Sequence, residues 1–181
     1  GLVGSEMCIR DRDWGLANAM NRGADVVAPH VRVGEVAAHQ RLSEFIASDI
    51  RDYKRLRDFP SQQATSNLSE NLALGEISPS RCWNAARVRL DSIDEGLETF
   101  LKELVWREFA YHLMYHTPHI LSDNWKSDWD QFPWKTDENA PHVLAWKQGR
   151  TGIPFVDAAM REMYVTGRMH NRGRMIVASY L

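Results

Sequence analysis

The chain has 181 residues, of which 44% are hydrophobic and seven are tryptophan, so it can form a core as one domain or as part of a larger one. Its net charge of −2 excludes a globally basic nucleic-acid binder and leaves only a local patch for such a partner. The cysteines, Cys8 and Cys82, provide no disulfide framework and favour a reducing compartment, which predicts a cytoplasmic protein. No apolar run is long enough to span a membrane.

The first 34 residues are expected to lie outside the main fold. Residues 1–13 (GLVGSEMCIRDRD) lack the order of a signal peptide and differ in style from the rest of the chain, so we interpret them as an unmatched leader or a scar. Residues 14–34 contain glycines and a proline and are expected to form a connecting arm.

One long amphipathic helix is predicted from Glu35 to Arg57, and Phe59-Pro60 ends it. The next ten residues, 60–69 (PSQQATSNLS), form a polar loop before a short helix from about Ser69. Two interpretations of its hydroxyl groups stay open. They are typical N-cap residues, but a hydroxyl-rich loop before a helix also suits a phosphate, because free N–H groups point at the anion.

A further helix is predicted from Pro79 to about Leu90, and the strongest helix signal lies in residues 93–116. In that second helix Glu103 and Arg107 lie one turn apart beside Trp106, which is consistent with a local salt bridge next to a packed indole.

Three histidines, His112, His116 and His119, are spaced like metal ligands. No carboxylate base or cysteine accompanies them, so no metal site is expected. Residues 122–140 are predicted to be a tryptophan-rich connection, and residues 140–148 a short helix.

Two helices separated by Gly167 are predicted in residues 149–181. Pro154 suits the first position of one helix, and Gly167 suits its left-handed end. Asp157 and Arg161 are spaced to form a salt bridge within this helix.

The segment after Gly167 is unusually polar for a core helix. At helical spacing, one face carries Arg168, Asn171, Arg172 and Met175, and another carries His170 and Arg174. Arginines on more than one face indicate an anion partner, although a solvated surface helix explains them equally well. The whole pattern is helical, without strand alternation or internal repeats, and predicts an all-α fold.

Several short motifs, taken together, resemble the DNA photolyase/cryptochrome family. They are RDFP (57–60), TSNLS (65–69), GEISP (75–79), ELVWREF (103–109), FPW (132–134), AWKQGRTG (145–152) and the segment 149–181. The resemblance covers about residues 34–181 and is greatest to bacterial class I cyclobutane-dimer photolyases. It implies that residues 35–181 are a partial, truncated FAD-binding helical domain, and that residues 14–34 connect it to an antenna domain outside the chain.

The resemblance implies FAD as the cofactor, and an antenna chromophore of unknown identity in the other domain. The positions that match flavin ligands or neighbours are Tyr53, Thr65, Ser66, Asn67, Leu68, Ser69, Phe100, Arg107 and Arg174. Two positions depart from the family. Arg168 stands where most members place a tryptophan beside the flavin, and Phe100 stands where many have one.

The resemblance also implies light-driven repair of cyclobutane pyrimidine dimers by a monomeric protein, through electron transfer from excited reduced FAD to a flipped-out dimer. The positions that match DNA contacts are Arg57, Glu103, Trp106, Asn171, Arg172 and Met175. Glu103 and Trp106 would also serve the reaction, and Trp134 matches the surface tryptophan of the chain that reduces the flavin. The alternative is a cryptochrome-like photoreceptor without repair activity.

Overall fold

The computed structural model describes residues 22–89 and 94–181, so the predicted leader 1–13 lies outside the described residues. We number the helices α1 (Gly23–Val27), α2 (Glu35–Ser48), α3 (Tyr53–Leu56), α4 (Ser69–Ala73), α5 (Pro79–Arg89), α6 (Glu95–His116), α7 (Pro141–Lys147), α8 (Pro154–Thr166) and α9 (Asn171–Ala178). Short 3₁₀ helices span Ala28–His30, Ile50–Asp52, Pro118–Leu121 and Ser127–Gln131. The described residues contain no strand, which confirms the all-α prediction. None of their helices is long and apolar enough to cross a membrane.

The larger core is formed by α2, α3, α5 and α6. Three buried aromatic rings lie at its centre: Phe45 is 4.9 Å from Phe100 and 5.5 Å from Tyr53 between ring centroids, and all three rings are in mutual contact. The start of α6 comes very close to the chain before α3. A Cβ atom on Gly96 would lie only 2.1 Å from the carbonyl oxygen of Ile50, so only glycine fits there.

The prediction of one unbroken helix from Glu35 to Arg57 is wrong. The α-helix ends at Ser48, and the chain passes through the 3₁₀ helix Ile50–Asp52 before α3 begins. The Ser48 hydroxyl donates to the carbonyl oxygen of Glu44 at 2.9 Å, and Asp49 is the next residue. Both residue types compete with helical hydrogen bonding, which explains the break.

A smaller core joins α8 and α9. Its buried residues are Val156, Ala159, Met160 and Val177. The Trp146 indole of α7 closes it by donating to the carbonyl oxygen of Val177 at 2.9 Å. Of the predicted arm the structure describes residues 22–34, which include α1. Helix α1 packs against α8 where Gly167 takes the predicted left-handed conformation, with φ of 72°.

The last helix starts later than the sequence predicted when Arg168 and His170 were placed on its faces. It begins at Asn171, with His170 as the N-cap: the ring nitrogen Nδ1 of His170 accepts from the backbone N–H of Arg172 at 3.1 Å. Arg168 and His170 therefore precede the helix, and the two faces predicted through them are wrong. The N-cap explains the difference, because His170 has a non-helical ψ of 144° and the helix begins only after it.

The predicted salt bridge between Asp157 and Arg161 is also replaced by other contacts. The buried Asp157 carboxylate accepts from the N–H and hydroxyl of Thr151, each at 2.7 Å, and from the N–H of Gly152 at 3.0 Å. Arg161 instead donates to the carbonyl oxygen of Gly149 at 3.0 Å. Both side chains therefore fasten the turn that precedes α8.

These contacts predict a pH dependence of stability. Burial alone would raise the pKa of Asp157, but the hydrogen bonds from Thr151 and Gly152 outweigh it and lower the pKa. A lowered folded-state pKa gives stability that is present at neutral pH and is lost as the pH falls below about 4. We expect Asp157→Asn to lose less free energy of unfolding than the unmodified protein between pH 7 and pH 3, measured by urea titration.

The matched control for that experiment is Asp123→Asn, because Asp123 is exposed and its side chain makes no hydrogen bond within the described residues. It should keep the acid sensitivity of the unmodified protein. If the Asp157 variant were as acid-sensitive as the unmodified protein, Asp157 would not be a source of the pH dependence.

Candidate functional site

The loop Thr65–Ser69 carries three hydroxyl groups, and that of Thr65 donates to the Asn67 side chain at 3.4 Å. Helix α4 has Leu68 at its N-cap and no side-chain cap, so the N-cap interpretation of Thr65, Ser66 and Ser69 is wrong. Within the described residues the hydroxyls of Ser66 and Ser69 make no hydrogen bond. Asn67 bends the loop with a left-handed φ of 51°. Leu68 is buried, and its carbonyl oxygen accepts from the backbone N–H of Leu72 at 2.9 Å, which joins the loop to α4.

A polar network underneath holds this loop in place. The buried Arg41 guanidinium donates to the carbonyl oxygen of Asn67 at 2.5 Å, to Glu70 at 2.6 Å and to the Asn71 side chain at 2.9 Å. The same Glu70 carboxylate pairs with Arg168. Burial alone would raise the pKa of Glu70, but the hydrogen bonds from the two arginines outweigh it and lower the pKa. Arg168, which departs from the family pattern, thus has a specific partner beside the loop.

Tyr53 and Phe100 lie in the larger core. The phenol of Tyr53 makes no hydrogen bond within the part of the chain described, and burial raises its pKa. The guanidinium of Arg57 lies over the Tyr53 ring at 5.2 Å from its centroid. Phe100 is buried against both Tyr53 and Phe45, so its ring fills the core in this structure.

The expected salt bridge between Glu103 and Arg107 does not form. Arg107 instead pairs with Glu108, donates to the carbonyl oxygen of Leu72 at 3.1 Å, and lies over the ring of Tyr111. It therefore links α6 to the end of α4. Glu103 is left for a partner distant in sequence.

That partner is Arg57, and the pair belongs to a row of alternating charges. Arg57 binds Glu103 of α6 on one side and lies 3.7 Å from Asp58 on the other. Asp58 in turn accepts from Arg172 of α9 at 2.9 Å. This hydrogen bond lowers the pKa of the Asp58 carboxyl, so the carboxylate is ionised at neutral pH.

His170 fastens the same two segments through its two ring nitrogens. Its Nδ1 accepts from a backbone N–H, so its Nε2 carries the proton and donates to the carbonyl oxygen of Arg57 at 2.8 Å. Arg168, His170 and Arg172 thus all dock the second core on the first, and the two arginines bind carboxylates of the protein. The solvated-helix interpretation therefore fails for the half-buried Arg168 and His170, whereas Asn171, Arg172 and Arg174 are exposed on α9 as it expects.

Of the predicted DNA contacts, the structure brings Arg57, Glu103, Arg172 and Met175 together. Arg172 Nη1 lies 3.5 Å from the Met175 sulfur, and Glu103 is linked to Arg172 through Arg57 and Asp58. Asn171 is exposed at the start of α9.

The predicted tryptophans are both accessible to solvent. Trp106 is 63% exposed, lies one turn from Glu103 and contacts Phe109 edge-on. Trp134 is 55% exposed and belongs to a separate cluster with Trp129 and Phe132. Arg174, also exposed, donates to the carbonyl oxygen of Met169 at 3.2 Å.

Sequence reasoning missed Asp58, Glu70 and His170 as site residues. Asp58 stands inside the RDFP motif, and its position next to Arg57 was the only available signal.

Within the described residues no group of three or more histidines, cysteines or acids could hold a metal ion.

Residues 100–181 match the family described as the FAD binding domain of DNA photolyase. The deoxyribodipyrimidine photo-lyase of Agrobacterium fabrum is 46% identical over 149 residues, which are 82% of this chain and 31% of that protein. The enzyme of that name from Escherichia coli is 41% identical over 155 residues, 84% of this chain and 32% of that protein. The chain thus spans about a third of the curated relatives it matches.

Solved structures agree with these matches. A bacterial class III photolyase from Agrobacterium tumefaciens superposes with a TM-score of 0.81 and 43% identity, covering 89% of this chain and 33% of that one. A cryptochrome from Synechocystis gives a TM-score of 0.75 and 31% identity, covering 83% and 32%. The fold and these matches define a helical domain of the flavin-binding class. The chain belongs to the photolyase/cryptochrome family.

Proposed function

We propose that the protein carrying this chain is a deoxyribodipyrimidine photo-lyase that repairs cyclobutane pyrimidine dimers in DNA with light. The observation that carries the proposal is the placement of Glu103, paired with Arg57, one turn from the exposed Trp106 and connected to α9. The relatives' names support the same activity. The motifs favour class I, and the class III structure supplies the alternative subclass.

The residues present fit FAD. The hydroxyls of Ser66 and Ser69 have no partner within the described residues, and together with the bend at Asn67 and the nearby Thr65 they suit a phosphate. The loop would hold it, because α4 is only five residues long. The phenol of Tyr53, which has no hydrogen-bond partner in the part of the chain that the structure describes, is a further donor beside this core. In this proposal Leu68, Phe100, Arg107 and Arg174 lie beside the cofactor. Bound FAD would supply the electron transfer, and the protein would supply orientation and exclusion of water.

The DNA side of the proposal depends on the exposed residues. A dimer in the duplex has to leave the base stack, and its weakened pairing makes this easier than for an intact base. Trp106 offers a flat aromatic face for the flipped bases, and the Glu103 carboxylate accepts hydrogen bonds from their edges. Arg172 is half exposed and can approach a phosphate, with Asn171 and Met175 on the same helix. Trp134 would pass electrons from the surface.

The domain assignment remains part of the proposal: residues 35–181 are one part of the FAD-binding domain, and residues 14–34 lead to an antenna-chromophore domain. We further propose a cytoplasmic monomer. The second candidate function is a cryptochrome-like photoreceptor, which the fold of the Synechocystis protein favours.

The deciding experiment is blue-light repair of dimer-containing DNA by the FAD-loaded protein, with binding measured in the dark. Trp106→Ala should weaken binding of dimer-containing duplex about ten-fold, because one stacked base contributes about 1–3 kcal/mol. The matched control is Tyr115→Ala, which removes an exposed aromatic ring from the same helix and should change neither binding nor repair.

Three results would count against the proposal in different ways. Flavin absorption without any repair would transfer the assignment to a photoreceptor. Failure to retain flavin would contradict the proposed cofactor-binding residues. Equal effects of Trp106→Ala and Tyr115→Ala would contradict the proposed role of Trp106 in DNA binding.

A further inference from the structure

We propose that Asp58 limits the affinity of the protein for DNA by competing with the phosphates for Arg172. This inference rests on the proposed DNA-binding function and adds a residue that opposes binding. Asp58 would act as a built-in substitute for phosphate, occupying the guanidinium until DNA displaces it.

The geometry allows the exchange. Arg172 Nε and Asp58 Oδ1 are 2.9 Å apart, which is a well-formed charge-assisted hydrogen bond. The side chains of Arg172 and Asp58 are 44% and 48% exposed, so a phosphate can reach the guanidinium. An exposed pair of this kind is weak enough to be displaced by a polyanion.

The charges around the pair point the same way. Glu103, Arg57, Asp58 and Arg172 alternate in sign, and each cation has a carboxylate partner. Their formal charges sum to zero, so these four side chains together carry no net positive charge although two of them are arginines. Phosphate binding depends on neutralisation by cations and on the counterions released, and here Asp58 already neutralises Arg172.

The two arginines are not equally available. The Arg57 side chain is only 16% exposed and is held by Glu103, by Asp58 and, through its carbonyl oxygen, by His170. Arg172 has one carboxylate partner within the described residues. Removal of the Asp58 charge should therefore release one phosphate-binding group, namely Arg172.

The test is the binding of undamaged duplex DNA to the FAD-loaded protein over a range of salt concentrations. Asp58→Asn should bind about three-fold more tightly at low salt, a gain of the size expected for an exposed ion pair. The slope of log K against log salt should become steeper by up to about 0.9, which corresponds to one additional phosphate contact.

The matched control is Asp52→Asn, which adds the same unit of net charge. Asp52 accepts from Arg55 at 2.9 Å, and the two side chains are 55% and 69% exposed, so the pair is similar in geometry and accessibility. Asp58→Glu keeps the carboxylate and should bind like the unmodified protein. In an Arg172→Gln background, Asp58→Asn should have no effect beyond that of Asp52→Asn.

Weaker binding by Asp58→Asn would overturn the inference and show that Asp58 positions Arg172 for DNA. Equal DNA binding and equal salt dependence of Asp58→Asn and Asp52→Asn would also overturn the inference, because the change in net charge alone would then explain the result. A dimer-containing duplex run in parallel separates this result from the proposed function. If the unmodified protein does not prefer that duplex, the repair proposal fails, whatever the Asp58 variants do with undamaged DNA.

Discussion

Gly96→Ala is expected to lower the free energy of unfolding by about 3 kcal/mol, because it forces a side chain into fully occupied space. The added Cβ would lie 2.1 Å from the carbonyl oxygen of Ile50 and 2.5 Å from that of Arg51. Both obstacles are backbone atoms, so no side-chain rotation relieves the contact. Helix α6 would have to move away from the 3₁₀ helix Ile50–Asp52, and the packing of Phe100 on Tyr53 would loosen with it. Urea unfolding followed by circular dichroism measures the change.

Gly173→Ala is the matched control for this prediction. Gly173 is also helical, but its added Cβ would meet the flexible Met169 side chain at 3.2 Å, which can shift. In a helix alanine is favoured over glycine by up to about 1 kcal/mol, so this variant should be nearly neutral or slightly stabilised. If the two variants had the same stability, the close approach at Gly96 would be refuted.

The helices themselves could be predicted well from the sequence. Apolar spacing placed α6 and α8 almost at their observed bounds, and the glycine at 167 marked the end of α8. The break after Ser48 escaped prediction because the apolar positions continue in phase across it, so Ile50 and Tyr53 are buried whether or not the helix is continuous.

Side-chain partners were harder to predict than helices. Spacing paired Glu103 with Arg107 and Asp157 with Arg161, but exposed pairs one turn apart are worth only a few tenths of a kcal/mol. Tertiary partners compete easily with such pairs: Glu103 binds Arg57, and Asp157 binds the turn at Thr151. Which partner prevails depends on how the segments pack, and the local sequence does not contain that information.

The network around Arg41 at the candidate cofactor loop was equally hard to predict from the sequence. In the sequence nothing distinguishes Arg41 from the other polar residues of α2. Neither its spacing nor its neighbours indicate that it is buried under Asn67. The motif TSNLS points to the loop, whereas the side chains that support it lie outside the motif: Arg41 on α2, Glu70 directly after it on α4, and Arg168 after α8. The resemblance therefore predicts which residues face the ligand and gives no indication of the side chains that support the loop.

Asn71→Leu should be as damaging as the substitution at Gly96, with a loss of about 3–5 kcal/mol. The Asn71 side chain is completely buried and similar in size to leucine, so the loss would come from hydrogen bonds. Its amide donates to Glu76 at 2.6 Å and to the carbonyl oxygen of Arg32 at 3.0 Å, and its oxygen accepts from Arg41. Leucine would leave all three groups without this partner.

Asn84→Leu provides the control, because Asn84 is exposed on α5 and should tolerate the same exchange within about 0.5 kcal/mol. The network makes a second prediction for the same variant. With Arg41 no longer held by Asn71, the Asn67 carbonyl and the loop that carries the free hydroxyls should become less ordered. Asn71→Leu should therefore also lower FAD retention, measured by flavin absorption at a temperature where both variants remain folded. Normal stability and normal flavin content in this variant would show that the network does not support the loop.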